Sequence, residues 1–235
     1  MLLSQHKTVI ENFYITLAHS SYQKASPDAY REIVLEVHNT KATLLSLLNS
    51  NYEDEFTLIK ASIRFTSFCS SIGDHSDKVI SQAVEFVKKN SGVRPLLIQC
   101  LVEWGDLCFF ANIFEKAKEK LQEAEKYCLF SQNINSDLYG NVLKKIGAIH
   151  ERQDALSDAE FCYGKSLGLF KDSNNITQQG YIYSALGNLC RRQMKLDEAA
   201  ALYQSAIQCY KNTIGCPLLQ SKTHRGLGRT YLLQN

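Results

Sequence analysis

The stretch YSALGNLCRRQMKLDEAAALYQSAIQCYK, Tyr183 to Lys211, has no proline and reads as helix, yet it holds Gly187 well inside. A glycine there is about 1 kcal/mol less favourable than an alanine. Small residues recur beyond it, with Ala199 and Ala206 seven apart on one helical face. A neighbouring helix that approaches too closely for a side chain accounts for both features.

Two upstream segments align with this one. They are LVEWGDLCFFANIFEKAKEKLQEA (Leu101 to Ala124) and LKKIGAIHERQDALSDAEFCYGKS (Leu143 to Ser166), set against YSALGNLCRRQMKLDEAAALYQSA (Tyr183 to Ala206). Each carries glycine (Gly105, Gly147, Gly187) and then a mid-sized residue (Cys108, His150, Cys190). Further on come Ala117, Ala159 or Ala199, then Leu121, Tyr163 or Tyr203, then Ala124, Ser166 or Ala206. HRGLGRTYLLQN begins a fourth copy, with Gly228 and Tyr231 in register. The glycines stand 42, 40 and 41 residues apart.

This pattern resembles the tetratricopeptide repeat, a pair of antiparallel helices with a usual period of about 34 residues. The resemblance implies an all-α, right-handed superhelical solenoid of antiparallel helix pairs, here with a period of about 40–42. Inter-repeat loops and helix ends are expected to be longer by roughly six to eight residues. The repeats are expected at about 93–132, 135–173 and 176–213, with a partial copy at 217–235 and diverged helical hairpins over 1–92 capping the array.

Composition sets the frame. Of 235 residues, 45% are hydrophobic and 21% charged, which supports a packed core and excludes a disordered chain. Three prolines leave room for long helices. A net charge of +2 argues for neither nucleic acid nor membrane, and no apolar run reaches membrane-spanning length. The start, MLLSQHKTVIENF, has no basic region followed by an apolar core, so no signal peptide is read there. Eight cysteines in that context indicate a reducing, cytoplasmic setting. They form no C-x-x-C pair, the histidines form no H-x-x-x-H pair, and no metal or cofactor site is expected.

The amino-terminal part is less regular. Ser26, Pro27 and Asp28 form a helix start, followed by an apolar stripe of Ile33, Val37, Leu44, Leu45 and Leu48. DEFTLIKASIRFTSFCSSIGDHSDKVISQAVEFVKKN predicts two helices broken at SIGDHSD, with Ser76 as the second cap. Phe65 and Cys69 fall where a degenerate repeat would place them. SQNINSD and KDSNNIT read as loops between repeats. REIVLEVHNTKATLLSLL, the hairpin after it and the repeats together resemble the arm behind the winged helix of STAND NTPases, which have NB-ARC or NACHT cores. That resemblance implies repeats that sense a ligand and hold an NTPase in check. The sequence has no G-x-x-x-x-G-K-[ST] loop, so such a chain is a detached arm or one piece of a split gene. It stops at Asn235, where the second helix of the fourth copy is due. Leu227, Tyr231 and Leu232 are then expected to be uncovered, or the chain to continue.

Candidate chemistry reduces to packing. His150 and Cys190 share one repeat slot with Cys108, which marks a buried mid-sized position rather than a thiol nucleophile. Asp158, Glu160, Asp197 and Glu198 begin second helices, where carboxylates favour the helix dipole. Trp104, Phe114, Tyr163, Tyr203 and Tyr231 fall mostly on core positions. Phe109 and Phe110 cannot both point inward, so one faces a groove or the preceding hairpin.

Charge is asymmetric. Residues 1–140 carry 14 Lys/Arg and 17 Asp/Glu, and residues 141–235 carry 12 and 7, a net +5. First helices line the concave face in the fold this resembles. Lys222, Arg225 and Arg229 share one helical face; Tyr181, Ser184, Asn188 and Arg191 form the equivalent face one repeat earlier, and Lys144 precedes them. The result is a basic, hydrogen-bonding groove suited to an acidic peptide. Lys144 and Lys222 also stand where tetratricopeptide co-chaperones place a two-carboxylate clamp. Ala148, Ala185 and Gly226 replace other clamp residues, so the clamp is expected to be absent. Asp106, Ala148, Asn188 and Arg229 show no RNA-reading code. The expected function is non-catalytic protein–protein interaction, as scaffold or ligand-sensing arm of a STAND-type regulator. The alternative is a free-standing adaptor for acidic peptides.

Overall fold

The computed structural model describes Tyr14, Tyr52, Thr213 and residues 34–50, 54–90, 94–131, 135–211 and 217–234. The helix start at Ser26–Asp28, Ile33, His6, His19, Cys216, Asn235 and the middle of SQNINSD lie outside the described residues. Among those described, all regular structure is helical. The helices are α1 (Val37–Leu48), α2 (Glu55–Ser71), α3 (Lys78–Asn90), α4 (Arg94–Phe110) and α5 (Phe114–Leu129). There follow α6 (Ser136–Arg152), α7 (Leu156–Asp172), α8 (Ile176–Arg192), α9 (Leu196–Lys211) and α10 (Pro217–Gln234). The chain divides into two compact units, Met1–Tyr127 and Cys128–Asn235.

In the first unit, Asp54 caps α2 by accepting from Thr57 N at 3.0 Å. The break after α2 is closed by Gly73 at φ +84°, with Asp74 N bonded to Cys69 O at 2.9 Å. Asp77, not Ser76, immediately precedes α3; its carbonyl accepts from Ser81 N at 2.9 Å. Asp77 also receives Lys116 Nζ at 2.6 Å and Trp104 Nε1 at 3.1 Å. Burial pushes this carboxyl up, but the Lys116 hydrogen bond and charge, with Trp104, outweigh it and hold it below its ordinary value. Trp104 is half-buried rather than core, with Lys116 and Lys120 over its ring at 5.3 and 4.5 Å. Phe65 and Cys69 are buried, as are Ala61 and Ser62. Phe110 is the exposed member of its pair, and Phe109 packs edge-on against Phe114.

In the second unit each helix packs on its sequence neighbours, and α8 also meets α10. Three-residue turns join α6 to α7, α7 to α8 and α8 to α9. Asp154, Asn174 and Met194 sit at their centres with φ of +63°, +55° and +60°. The next amide in each turn reaches back to His150, Phe170 or Cys190 O at 2.9 Å, which satisfies an orphan carbonyl. KDSNNIT is therefore mostly helix around a short turn. The long inter-repeat loop expected there is corrected: helices α6, α7 and α8 have 17 residues each, and the extra period went into them.

The repeated glycines meet the repeated bulky residues. A Cβ built on Gly105, Gly147 or Gly187 would lie 2.7, 2.8 or 3.0 Å from Leu121, Tyr163 or Tyr203. Gly226 of the next repeat meets the same ring: a Cβ built there would lie 2.7 Å from Tyr203. The small partners Ala117, Ala124, Ala159, Ser166, Ala199 and Ala206 are all buried.

Candidate functional site

The groove residues lie on α6, α8 and α10. Lys144 on α6 donates to Gln178 Oε1 at 2.9 Å, and its ammonium stands 5.1 Å from the Tyr181 ring. Both partners are on α8, so Lys144 bridges two first helices. Ser184 accepts from Thr223 of α10 at 3.2 Å. Asn188 Oδ1 accepts from the buried Tyr203 hydroxyl at 2.7 Å. Burial pushes the Tyr203 hydroxyl up, against a hydrogen bond from Arg191 that lowers it. Arg191 is half-buried and its Nε has no hydrogen-bond partner.

Gln178, Ser184 and Asn188 of α8 are thus engaged by neighbouring helices, whereas Lys222, Arg225 and Arg229 on α10 are exposed. The sequences of α8 and α10 contain no aspartate or glutamate at all. Carboxylates sit instead on α6, α7 and α9, as at Glu151, Asp158 and Asp197. Glu151 accepts from the Tyr163 hydroxyl at 2.9 Å and lies 4.0 Å from Arg192.

Reading the repeat from one glycine missed a second notch. Gly140 and Gly180 stand seven residues before Gly147 and Gly187; an added Cβ would lie 2.9 Å from Phe170 and 2.7 Å from Tyr210. Their spacing of 40 was the available signal. Ser166 donates to Gly140 O at 2.7 Å inside this contact. Gln179 and Gln220 donate to Phe170 O and Tyr210 O, each at 2.9 Å, so helix ends are sealed by the following first helix.

Cys190 is not poised for nucleophilic chemistry. His150 Nδ1 faces the Asp158 carboxylate at 3.9 Å. Cys190 is buried, and burial followed by the charges of Glu198 and Glu160 pushes its thiol up. A reactive cysteine needs the opposite displacement. Burial also pushes Cys69 and Cys100 up to about 12. Their folded values lie above those of an unfolded chain, which therefore loses its thiol protons first. Their contribution to stability is complete below about pH 8.5 and falls as pH rises toward 12. Melting temperature is expected to drop between pH 8.5 and 11, less steeply in a Cys69→Ala, Cys100→Ala variant. An equal slope in both proteins would contradict this.

Neither a protein-family model nor a curated protein matches the chain. Solved structures do. BtubC (BKLC) from P. vanneervenii is similar at 17% identity with a TM-score of 0.74, covering 86% of this chain and 82% of its own. Aspartyl phosphate phosphatase F from Bacillus subtilis is similar at 14% identity and 0.75, covering 97% and 60%. The tetratricopeptide repeat sensor protein PH0952 from Pyrococcus horikoshii, a signal transduction ATPase with numerous domains, gives 13% and 0.61, covering 97% and 36%. The chain thus spans about three fifths of the phosphatase and about a third of the ATPase. At these identities the likeness concerns the fold: an all-helical solenoid of the tetratricopeptide type.

Proposed function

We propose that this chain is a non-catalytic protein-interaction module whose second unit receives an acidic protein segment on α6, α8 and α10. The observation that carries this reading is the absence of any carboxylate from α8 and α10 beside the exposed Lys222, Arg225 and Arg229. Lys144, Tyr181, Ser184, Asn188 and Arg191 complete the groove, and Arg191 serves as a fork for a carboxylate. Buried thiols with raised values support a binding role over a thiol enzyme. The seven described cysteines are free, which supports a reducing, cytoplasmic setting.

Within this role the favoured setting is the scaffold or ligand-sensing arm of a STAND-type regulator, supported by likeness to the PH0952 sensor. The charged groove equally suits a free-standing adaptor. Isolation of the native polypeptide separates the two: co-purification with an ATP-binding region favours the arm, and its absence favours the adaptor.

The triple variant Arg191→Ala, Arg225→Ala, Arg229→Ala tests the groove. Exposed charges such as Arg225 and Arg229 each contribute about 0.2–1 kcal/mol, and the half-buried Arg191 at least as much. Affinity for an acidic partner is therefore expected to fall about threefold to a hundredfold, and wild-type binding to weaken with salt. Equal affinity would reduce the groove to a solvated surface.

A further inference from the structure

Helix α10 presents five residues at alternating steps of four and three: Leu218, Lys222, Arg225, Arg229 and Leu232. All five are exposed, Leu218 at 66% and Leu232 at 79%, while Thr223, Gly226 and Thr230 are buried elsewhere on the helix. Such steps keep side chains along one line of a helix, as in the seam of a coiled coil. Here the three central positions are cationic and both ends are leucine. The seam covers about 21 Å of helix axis.

We propose that this seam docks one helix of a partner protein, acidic at three central seam positions and apolar at both ends. The proposal rests on the groove reading above and narrows its ligand from an acidic segment to an acidic helix. Two facts select that occupant. The first is charge: α8 and α10 carry no carboxylate, and Asp197 of α9, the other neighbour, is bonded to Gln234 rather than to these cations, which leaves them for an outside anion. The second is spacing. An extended chain offers one side chain per face every ~6.6 Å, about three steps over this length, whereas a facing helix repeats the same four steps. A second copy of α10 would set cations against cations. A membrane-surface helix carries its apolar residues along the whole buried face with cations on the polar side, which is not this arrangement.

The test uses the full chain and a capped, alanine-rich peptide of about 20 residues, long enough to hold a helix. It carries Leu, Glu, Glu, Glu and Leu at the matching steps. Titration calorimetry at low salt is expected to show binding. Arg225→Glu with Arg229→Glu should weaken it at least about tenfold, and a peptide with Lys for Glu should restore affinity to that variant. Because the altered residues are exposed, circular dichroism is expected to stay unchanged; the restored affinity keeps the result independent of folding.

Three results would overturn the proposal. Equal binding of a peptide with the same composition but glutamates at steps of two removes the spacing argument. Binding only of a proline-interrupted acidic peptide overturns the helix and leaves the groove reading standing. Failure of both acidic peptides overturns both readings, whether or not phosphatidylserine vesicles bind.

Discussion

Tyr203→Ala is expected to remove about 3–5 kcal/mol of stability, the range for truncating a large buried aromatic. The side chain is 1% exposed and lies between Gly187 of its own repeat and Gly226 of the next. Its loss would leave a cavity lined by backbone at both glycines, and the three-residue turn joining α8 to α9 keeps those helices from closing in fully. A typical domain has only about 5–15 kcal/mol to lose, so the second unit should unfold at a much lower urea concentration. Tyr203→Phe separates packing from the hydroxyl. It keeps the ring and loses the bond to Asn188, a deficit of about 1 kcal/mol. If Tyr203→Ala and Tyr203→Phe lost the same stability, ring packing would not be what holds the repeat together.

The contact between Gly187 and Tyr203 was readable because both members recur. Three glycines and three bulky residues stay sixteen apart through copies about 40 residues apart, and only helix-on-helix packing demands that constancy. The second notch recurs in only two copies, at Gly140 and Gly180, so a pattern anchored on Gly147 passed over it. Helix length was not readable from the period. A period of 40 fits short helices with long loops as well as long helices with short turns. The choice is made by local geometry at Asp154, Asn174 and Met194, of which Met194 is no turn former by composition.

The groove divides the same way. Its cations follow from helical spacing within α10, a local property. The engagement of Ser184 by Thr223 and of Asn188 by Tyr203 joins residues 39 and 15 positions apart. No spacing rule in one helix reveals such bonds, so α8 looked freer in the sequence than it is in the structure.

Gly187→Leu is expected to destabilise the second unit by about 1–3 kcal/mol, the cost of overpacking a tight contact. Two effects oppose each other at this position. Replacing a helical glycine gains up to about 1 kcal/mol in propensity. Against that, the new Cβ alone would stand 3.0 Å from Tyr203 Cε1 and 3.1 Å from Cδ1, before the rest of the leucine is placed. Tyr203 has little room to give, because it is 1% exposed and its ring also packs against Gly226 of the next repeat, where there is no space for even a Cβ. The clash therefore outweighs the gain. Gly164 and Gly168 on α7 supply the control, since an added Cβ there meets nothing within 4 Å. Gly164→Ala should express propensity alone and raise stability by about 0.5–1 kcal/mol. Thermal melts of the two variants beside the parent should move in opposite directions. A Gly187→Leu protein that melts at or above the parent would mean the glycine does not mark a close helix approach, and the repeat register built on Gly105, Gly147 and Gly187 would fall with it.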